Sequence, residues 1–268
     1  MSEWIPAQSV YVNSTPGYTG FSGTGSNFTA FLLGSPIVPK PNKVTRCAIT
    51  SAVIPLTYYG INSTNNTINI TETNGVTPKT YTATLVPGNY TSTTVVTMLN
   101  AILTAASLAS GYSLAWDCTF STDTGLMTFA TSTAGYTATI NFASSTAQST
   151  LGLPSTGTST GITSTTTYTA PNICNFIGPT EIHIRCGNFQ SNVYETRVQT
   201  ESIIMAIIPI TANEFQTVVY MPAYPKIFGH VSSKIDSMQI YITDQFGNIL
   251  NLNGFGVSID FAFYEYNA

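Results

Sequence analysis

The stretch Glu201-Ser-Ile-Ile-Met-Ala-Ile-Ile-Pro-Ile210 decides the fold. From Ile203 to Ile210 every residue is apolar, and five are β-branched isoleucines. Branched side chains pack well on a pleated surface and lose rotamer freedom in a helix, so the segment reads as a strand. Its shortness and Pro209 argue against a buried helix. Strand side chains alternate, so Ile203, Met205 and Ile207 point one way and Ile204, Ala206 and Ile208 the other. Both faces are apolar. A strand of an ordinary antiparallel sandwich has one apolar and one polar face. The outer face here therefore requires cover, from an extra subdomain and from another subunit.

Strands surround this one on both sides in sequence. Upstream, Asn27–Leu33 is closed by Gly34-Ser-Pro36 and a Pro39-Lys-Pro41 break. Val44–Pro55 is a long strand, with Ala48, Ala52 and Ile54 assigned to one face and Cys47, Ile49 and Val53 to the other. Asn65–Ile70 alternates Ile68 and Ile70 with polar residues, as a half-exposed strand does. Around the central segment, Glu181–Cys186 sets Ile182, Ile184 and Cys186 against Glu181, His183 and Arg185. Phe215–Tyr220 follows, then a Pro222/Pro225 loop with His230. Ile235–Ile242 turns through Asp244–Asn248 into Ile249–Leu252, and Val257–Tyr264 closes the series with Ile259, Phe261 and Phe263 on one side.

Residues 79–168 have a different texture. Lys79–Leu85 is a strand, and Val86-Pro-Gly-Asn89 is a turn. Val95, Val96, Met98, Leu99, Ile102 and Leu103 then recur at helical spacing, which predicts a helix over about Ser92–Ala106 with Thr91 or Ser92 as N-cap. Short strands follow at Ser113–Phe120, Leu126–Ala130 and Thr137–Phe142, the first two joined by the Thr122–Gly125 turn, and Ala143–Leu151 reads as one or two helical turns. The Thr/Ser/Gly-rich run Pro154–Thr167 reads as a flexible return. This is an inserted small α+β subdomain. About eight substantial strands lie outside it, so the expected fold is mainly β: an eight-stranded single jelly-roll sandwich over 28–78 plus 169–268. An immunoglobulin-like sandwich is the competing expectation, weakened because neither Trp4 nor Trp116 sits between suitably spaced cysteines.

Residues 1–27 read as an N-terminal arm. Trp4, Ile5, Tyr11, Tyr18 and Phe21 are scattered among Ser, Gly, Thr and Pro, too few for a core of their own, and are candidate anchors on another subunit. Composition points the same way. Hydrophobic residues make up 43% of the 268, enough for a sizeable core, but charged residues only 7%, against roughly 25% in ordinary soluble domains. Such a surface suits a chain with protein neighbours. A net charge of −4 without a Lys/Arg cluster argues against nucleic acid as a partner. The N-terminus lacks the basic and apolar regions of a signal peptide, and no apolar run approaches the ~20 residues of a membrane span, so no direct membrane insertion is expected.

Candidate chemistry is sparse. Cys47, Cys118, Cys174 and Cys186 have no C-x-x-C spacing and read as mostly buried free thiols, with a disulfide or zinc site as the sharper alternative. His183 lies in a row with Glu181 and Arg185, read as an edge with cross-strand ion pairs rather than a site. His230 reads as a plain loop histidine, and Asp244 as a turn residue. Gly254-Phe-Gly256 lacks the rest of a dinucleotide fingerprint, and no nucleophile elbow, phosphate loop or zinc-protease motif is present. The Asn-x-Ser/Thr triplets at Asn13, Asn27, Asn62, Asn65, Asn69 and Asn89 match chance in so Thr-rich a chain. No catalytic residue, cofactor or metal ligand is assigned.

The order of segments carries a resemblance. Arg46-Cys-Ala-Ile-Thr-Ser-Ala-Val-Ile-Pro-Leu-Thr-Tyr-Tyr-Gly-Ile-Asn62, Leu85-Val-Pro-Gly-Asn-Tyr90 with Met98-Leu-Asn100, and Gly178-Pro-Thr-Glu-Ile-His-Ile-Arg185 resemble successive blocks of penton, or minor capsid, proteins. So do Ile203–Ile210 and Ile240-Tyr-Ile-Thr-Asp-Gln-Phe-Gly-Asn-Ile-Leu-Asn-Leu-Asn-Gly254. The family is that of virophages, polinton-type elements and large double-stranded DNA viruses of eukaryotes. The resemblance implies a single vertical jelly roll, present as a homopentamer at each five-fold vertex of a virion assembled inside the host cell. It implies contacts with trimers of a double-jelly-roll major capsid protein, with the insert at the outer end, free to meet a fibre or host receptor. Two rivals remain: a receptor- or carbohydrate-binding β-sandwich of the fibre-head type, and a β-sandwich hydrolase using two of Glu181, Glu195, Glu201, Asp236, Asp244 and Asp260.

Overall fold

In a computed structural model, residues 5–176, 178–189, 194–195, 200–201, 203–231 and 233–267 are described. The chain divides into two compact units, Met1–Tyr58 with Pro179–Ala268, and Tyr59–Gly178. The first unit opens with strands β1 (Ile5–Asn13), β2 (Phe21–Gly23), β3 (Asn27–Phe31) and β4 (Lys43–Pro55). The second contributes β5 (Thr67–Thr73), β6 (Lys79–Thr84), α1 (Ser92–Ala109), β7 (Thr119–Phe120), β8 (Met127–Phe129), β9 (Thr137–Asn141), α2 (Gln148–Leu151) and β10 (Tyr168–Thr169). The first unit then resumes with β11 (Glu181–Cys186), β12 (Tyr194–Glu195), β13 (Thr200–Glu201), β14 (Ile204–Pro209), β15 (Thr217–Tyr220), β16 (Ile227–His230), β17 (Ser237–Asp244) and β18 (Ser258–Asn267).

Two five-stranded antiparallel sheets build the first unit. One runs β1-β18-β4-β15, with β16 also on β4; the other runs β14-β11-β17-β3-β2. Their inner faces share one core. Val12, Ile49, Ile54, Ile259, Phe261 and Phe263 from the first sheet meet Phe28, Ile182, Ile184, Ile208, Ile240 and Ile242 from the second. The result is a mainly β sandwich, and each such side chain removed from water contributes roughly 1.5–3 kcal/mol.

Several expectations change. The segment expected as an arm is part of the sandwich: β1 pairs along its length with β18, and β2 pairs with β3. Long-range pairing supplies the apolar partner that Val10 and Val12 lack locally. In β4 the faces do not alternate as expected. Cys47, Ile49, Ala52 and Ile54 all belong to the core. The pairing with β18 jumps from Ser51↔Asp260 to Ile49↔Phe261, so Thr50 is an extra residue that resets the phase. His230 ends strand β16 instead of lying in a loop.

The unit boundaries also differ from 78/79 and 168/169. Strand β5, assigned by sequence to the sandwich, is the centre of the order β6-β5-β9 in the second unit. The helix starts as expected and runs three residues further. Thr91 and Thr94 cap it reciprocally, the Thr94 N–H donating to Thr91 Oγ1 at 3.2 Å and the Thr91 N–H to Thr94 Oγ1 at 2.9 Å. By length and hydropathy α1 matches a membrane span, yet Val95, Leu99 and Leu103 face the unit's core with Ile68, Ile70, Met127 and Phe129. The segment Pro154–Thr167 is no flexible return. Ile162 exchanges both backbone hydrogen bonds with Ala138, and Ser159 Oγ accepts from the Ile140 N–H at 2.9 Å. One buried isoleucine anchors what composition disguises.

Candidate functional site

No catalytic constellation forms among the described residues, so the surface of the sandwich is where function is sought. Strand β14 lies at the edge of its sheet and pairs with β11. Ile184↔Ala206 is followed by Arg185↔Ile204, which leaves Met205 bulged, so Met205, Ala206 and Ile208 all enter the core. Ile207, opposite His183, points the other way and is 46% exposed. The second face of the central segment is thus only partly covered by its own chain.

A larger apolar surface lies at one edge of the first sheet. Strand β15 pairs with β4, Val218 against Ile54 and Val219 against Val53. Val218 is buried, whereas Val219 is 60% exposed beside the half-exposed Val53. Continuing past the strand, Met221 is 74% and Tyr224 93% exposed, and Phe215 stands open just before it. Proline pairs cannot extend the ladder, so Pro222 and Pro225 break the edge between β15 and β16. Sequence reasoning missed this patch. The signal was there: Val219 and Met221 share one strand parity.

The opposite edge is β1. Tyr11 is 62% exposed, and its hydroxyl donates to Ser258 Oγ at 3.0 Å while accepting from Asn13 Nδ2 at 3.1 Å. Tyr18 is equally open. Phe21 is not free to serve as an anchor. It packs on the sandwich core, edge-on to Phe28 with centroids 6.0 Å apart. Trp4 and the side chain of Ile5 lie outside the described residues. Beside this edge, the loops Ser14–Ser26 and Ile249–Phe255 enclose a groove of about 490 Å³, lined by Pro16, Phe21, Ile249 and Phe255 among others.

The titratable residues are engaged one at a time. His183 is buried, its Nε2 3.2 Å from Glu181, and its Nδ1 has no partner among the described residues. Arg185 Nε donates to Thr243 Oγ1 at 3.1 Å. Asp244 caps its turn, accepting from the Phe246 and Asn248 N–H groups, each at 2.8 Å. Asp260 accepts from Ser51 Oγ, and Asp236 pairs with Lys234 at 2.8 Å. Strands β12 and β13 bring Glu195 opposite Thr200 and Glu201 opposite Tyr194, with their side chains outside the described residues. Glu265 takes Lys40 at 3.0 Å and Lys43 at 2.9 Å, and these lysines hold its carboxyl below the usual carboxylate value. A paired-carboxylate cleft is not what these contacts describe.

The cysteines are free thiols, three buried and Cys174 half-buried. Burial pushes Cys118 and Cys186 up to about 12 and Cys174 to about 11. Cys47 is raised by burial and further by Cys186. Such thiols stay protonated and make poor nucleophiles. Five of the Asn-x-Ser/Thr side chains are already used. Asn13 bonds Ser258 Oγ and Asn69 bonds Thr82 Oγ1 across strands, and Asn62, Asn65 and Asn89 accept from the Thr64, Asn62 and Gly60 N–H groups.

The second unit holds one buried carboxylate. Glu72 is fully buried, accepting from the Tyr81 hydroxyl and from Ser107 Oγ at 2.8 Å; Ser107 Oγ in turn accepts from the Leu114 N–H at 3.0 Å. Burial first, then the Glu72 bond, raises the Tyr81 phenol strongly. This network fastens the end of α1 to β5 and β6, a structural task.

No family model matches the chain, and no curated protein matches it. Among solved structures, the chain is similar to the crystal structure of selenomethionine-labelled mavirus penton protein, with a TM-score of 0.46 and 11% identity over 97% of this chain and 100% of that one.

Proposed function

We propose that this chain is a penton-type minor capsid protein, five copies of which close a five-fold vertex of an icosahedral virion among trimers of the major capsid protein. One observation carries the reading: a sandwich with a fully buried core leaves apolar side chains open along strand edges, at Ile207 and at Val219–Tyr224, and no catalytic cluster among the described residues explains them. Monomeric proteins rarely expose contiguous apolar patches unless the patch is used. The sequence blocks at 46–62, 85–100 and 178–254 support the family. Strand order supports a single jelly roll. With β15–β16 taken as one position and the three-residue β2 as an added edge strand beside β3, the remaining eight positions fall into the orders β1-β18-β4-β15 and β3-β17-β11-β14, and the second unit enters between β4 and β11.

Light scattering of the purified chain, combined with electron microscopy, tests this. Five-fold rings are expected; a pure trimer overturns the reading in favour of a fibre-head module. That second reading has an observation of its own. The sheet β6-β5-β9 presents a neutral array in which Thr71 meets Thr80, Asn69 meets Thr82, and Asn141 bonds both Asn69 and Thr71. Binding of defined glycans by the trimer, lost on replacing Thr80 and Thr82 with lysine, would establish it.

A further inference from the structure

The two edges of the first sheet differ in chemistry yet share a level. Pairing registers fix this. Tyr11 is opposite Asp260, which is opposite Ser51; Asn13 is opposite Ser258, then Val53, then Val219. Met221 follows Tyr220, the partner of Ala52, and so continues to the level of Ser51 and Tyr11. The β1 edge and the β15 edge are three strand spacings apart, about 14 Å of backbone, so one molecule cannot bring them together.

Contacts between two different patches generate a ring when rotation alone superposes successive copies, and a helical filament when a translation is added. Patches at equal height on opposite edges need no translation. Size also fits. Phe215 and Tyr224 alone offer roughly 300 Å² of aromatic surface. Val53, Val219 and Met221 bring the patch to several hundred Å², the scale of the ~800 Å² that each partner gives to a stable interface. The Tyr11 hydroxyl is already bonded to Ser258 and Asn13, which holds the side chain over the outer face of the sheet while the residue as a whole stays largely open. Thioether sulfur and aromatic rings attract each other.

We infer that the occupant of the Val219–Tyr224 patch is the β1 edge of a second copy of this chain, with the Tyr11 ring set against Val219 and Met221 and Tyr18 beside them. This rests on the capsid reading and deepens it by naming the surfaces of the ring contact.

The test joins Tyr11→Cys and Met221→Cys in one chain, oxidised with copper–phenanthroline and separated without reductant. A ladder ending at five chains is expected, with none from either single variant or the unsubstituted chain. Dimers from Met221→Cys alone would mean a two-fold contact and overturn the inference, as would no ladder from an intact pentamer. In that last case the capsid reading survives, because the unsubstituted chain still has five-chain mass. A trimer or a monomer at high concentration overturns both. Val219→Arg with Met221→Arg, both at exposed positions, is expected to reduce the mass from five chains to one while the circular dichroism spectrum of the folded sandwich is unchanged; a five-chain mass would count against the contact.

Discussion

The two units bury apolar surface to very different degrees of completeness. The second closes on itself: α1 and its two small sheets surround Leu99, Leu103, Phe129 and Ile140, and even its buried carboxylate has its donors within the unit. Its exposed large apolar side chains among the described residues are Val76, Val86, Leu108 and Ile173, scattered along the sequence. The first unit has as good a core, but leaves Phe215, Val219, Met221 and Tyr224 open together. Self-sufficiency in one unit and openness in the other are why the proposed assembly contacts are placed on the sandwich.

If that contrast is right, damage to the core of one unit stays within it. Phe129→Ala in the second unit and Phe261→Ala in the first each empty a fully buried site and should cost about 3–5 kcal/mol. Calorimetry of each variant should show one transition lowered and the other unmoved. Equal shifts of both would make the units a single cooperative block.

A smaller effect probes how the second unit satisfies itself. Tyr81→Phe removes a donor from Glu72 in a site closed to water, and should lower that unit's stability by roughly 1–3 kcal/mol. Glu72→Gln should cost less, since an amide keeps an acceptor for Ser107. Chemical denaturation separates them; equal costs would show that charge, not the hydrogen bond, decides.

The corresponding probe of the first unit is acid. Lys43 and Lys40 lower the Glu265 carboxyl below its unfolded value of about 4.5. A group whose folded pKa is depressed stabilises above the unfolded pKa, and that contribution is lost as pH falls through the folded value. Lys40 is largely exposed, so the contribution should be about 1 kcal/mol or less. Melting curves of Glu265→Gln should therefore show a flatter acid limb in the sandwich transition, with the other transition untouched; a variant whose acid limb matches the parent's would remove Glu265 from the account.

What was legible in the sequence follows the range of the interaction. The capping of α1 by Thr91, the Asp244 turn and the Ile259/Phe261/Phe263 face depend on neighbours a few residues apart, and each stands where expected. Strand β1 could not be read, because its partner β18 lies some 250 residues away and nothing local marks Val10 and Val12 as paired. The bulges at Thr50 and Met205 shift the side-chain phase without any Gly or Pro to announce them. The Thr-rich run hid Ser159 and Ile162, which supply its anchors. Of the candidate anchors, Tyr11 and Tyr18 are exposed and Phe21 is not, a distinction that needed the sheet to be seen.

The smallest effect is the most discriminating, because it uses adjacent residues of the central segment. Ile208 enters the core and is 2% exposed, whereas Ile207 is 46% exposed. Ile208→Ala should cost roughly 2–5 kcal/mol, and Ile207→Ala should stay within about 0.5 kcal/mol in the dissociated chain. A side chain as open as Ile207 adds little to the fold of one copy, so any larger effect of removing it must come from a neighbour. If a neighbour covers it, Ile207→Ala should be silent in the melting of dilute protein yet lower the midpoint of the assembled particle. An Ile207→Ala chain whose assembled and dissociated forms both melt like the parent's would leave that face without a partner.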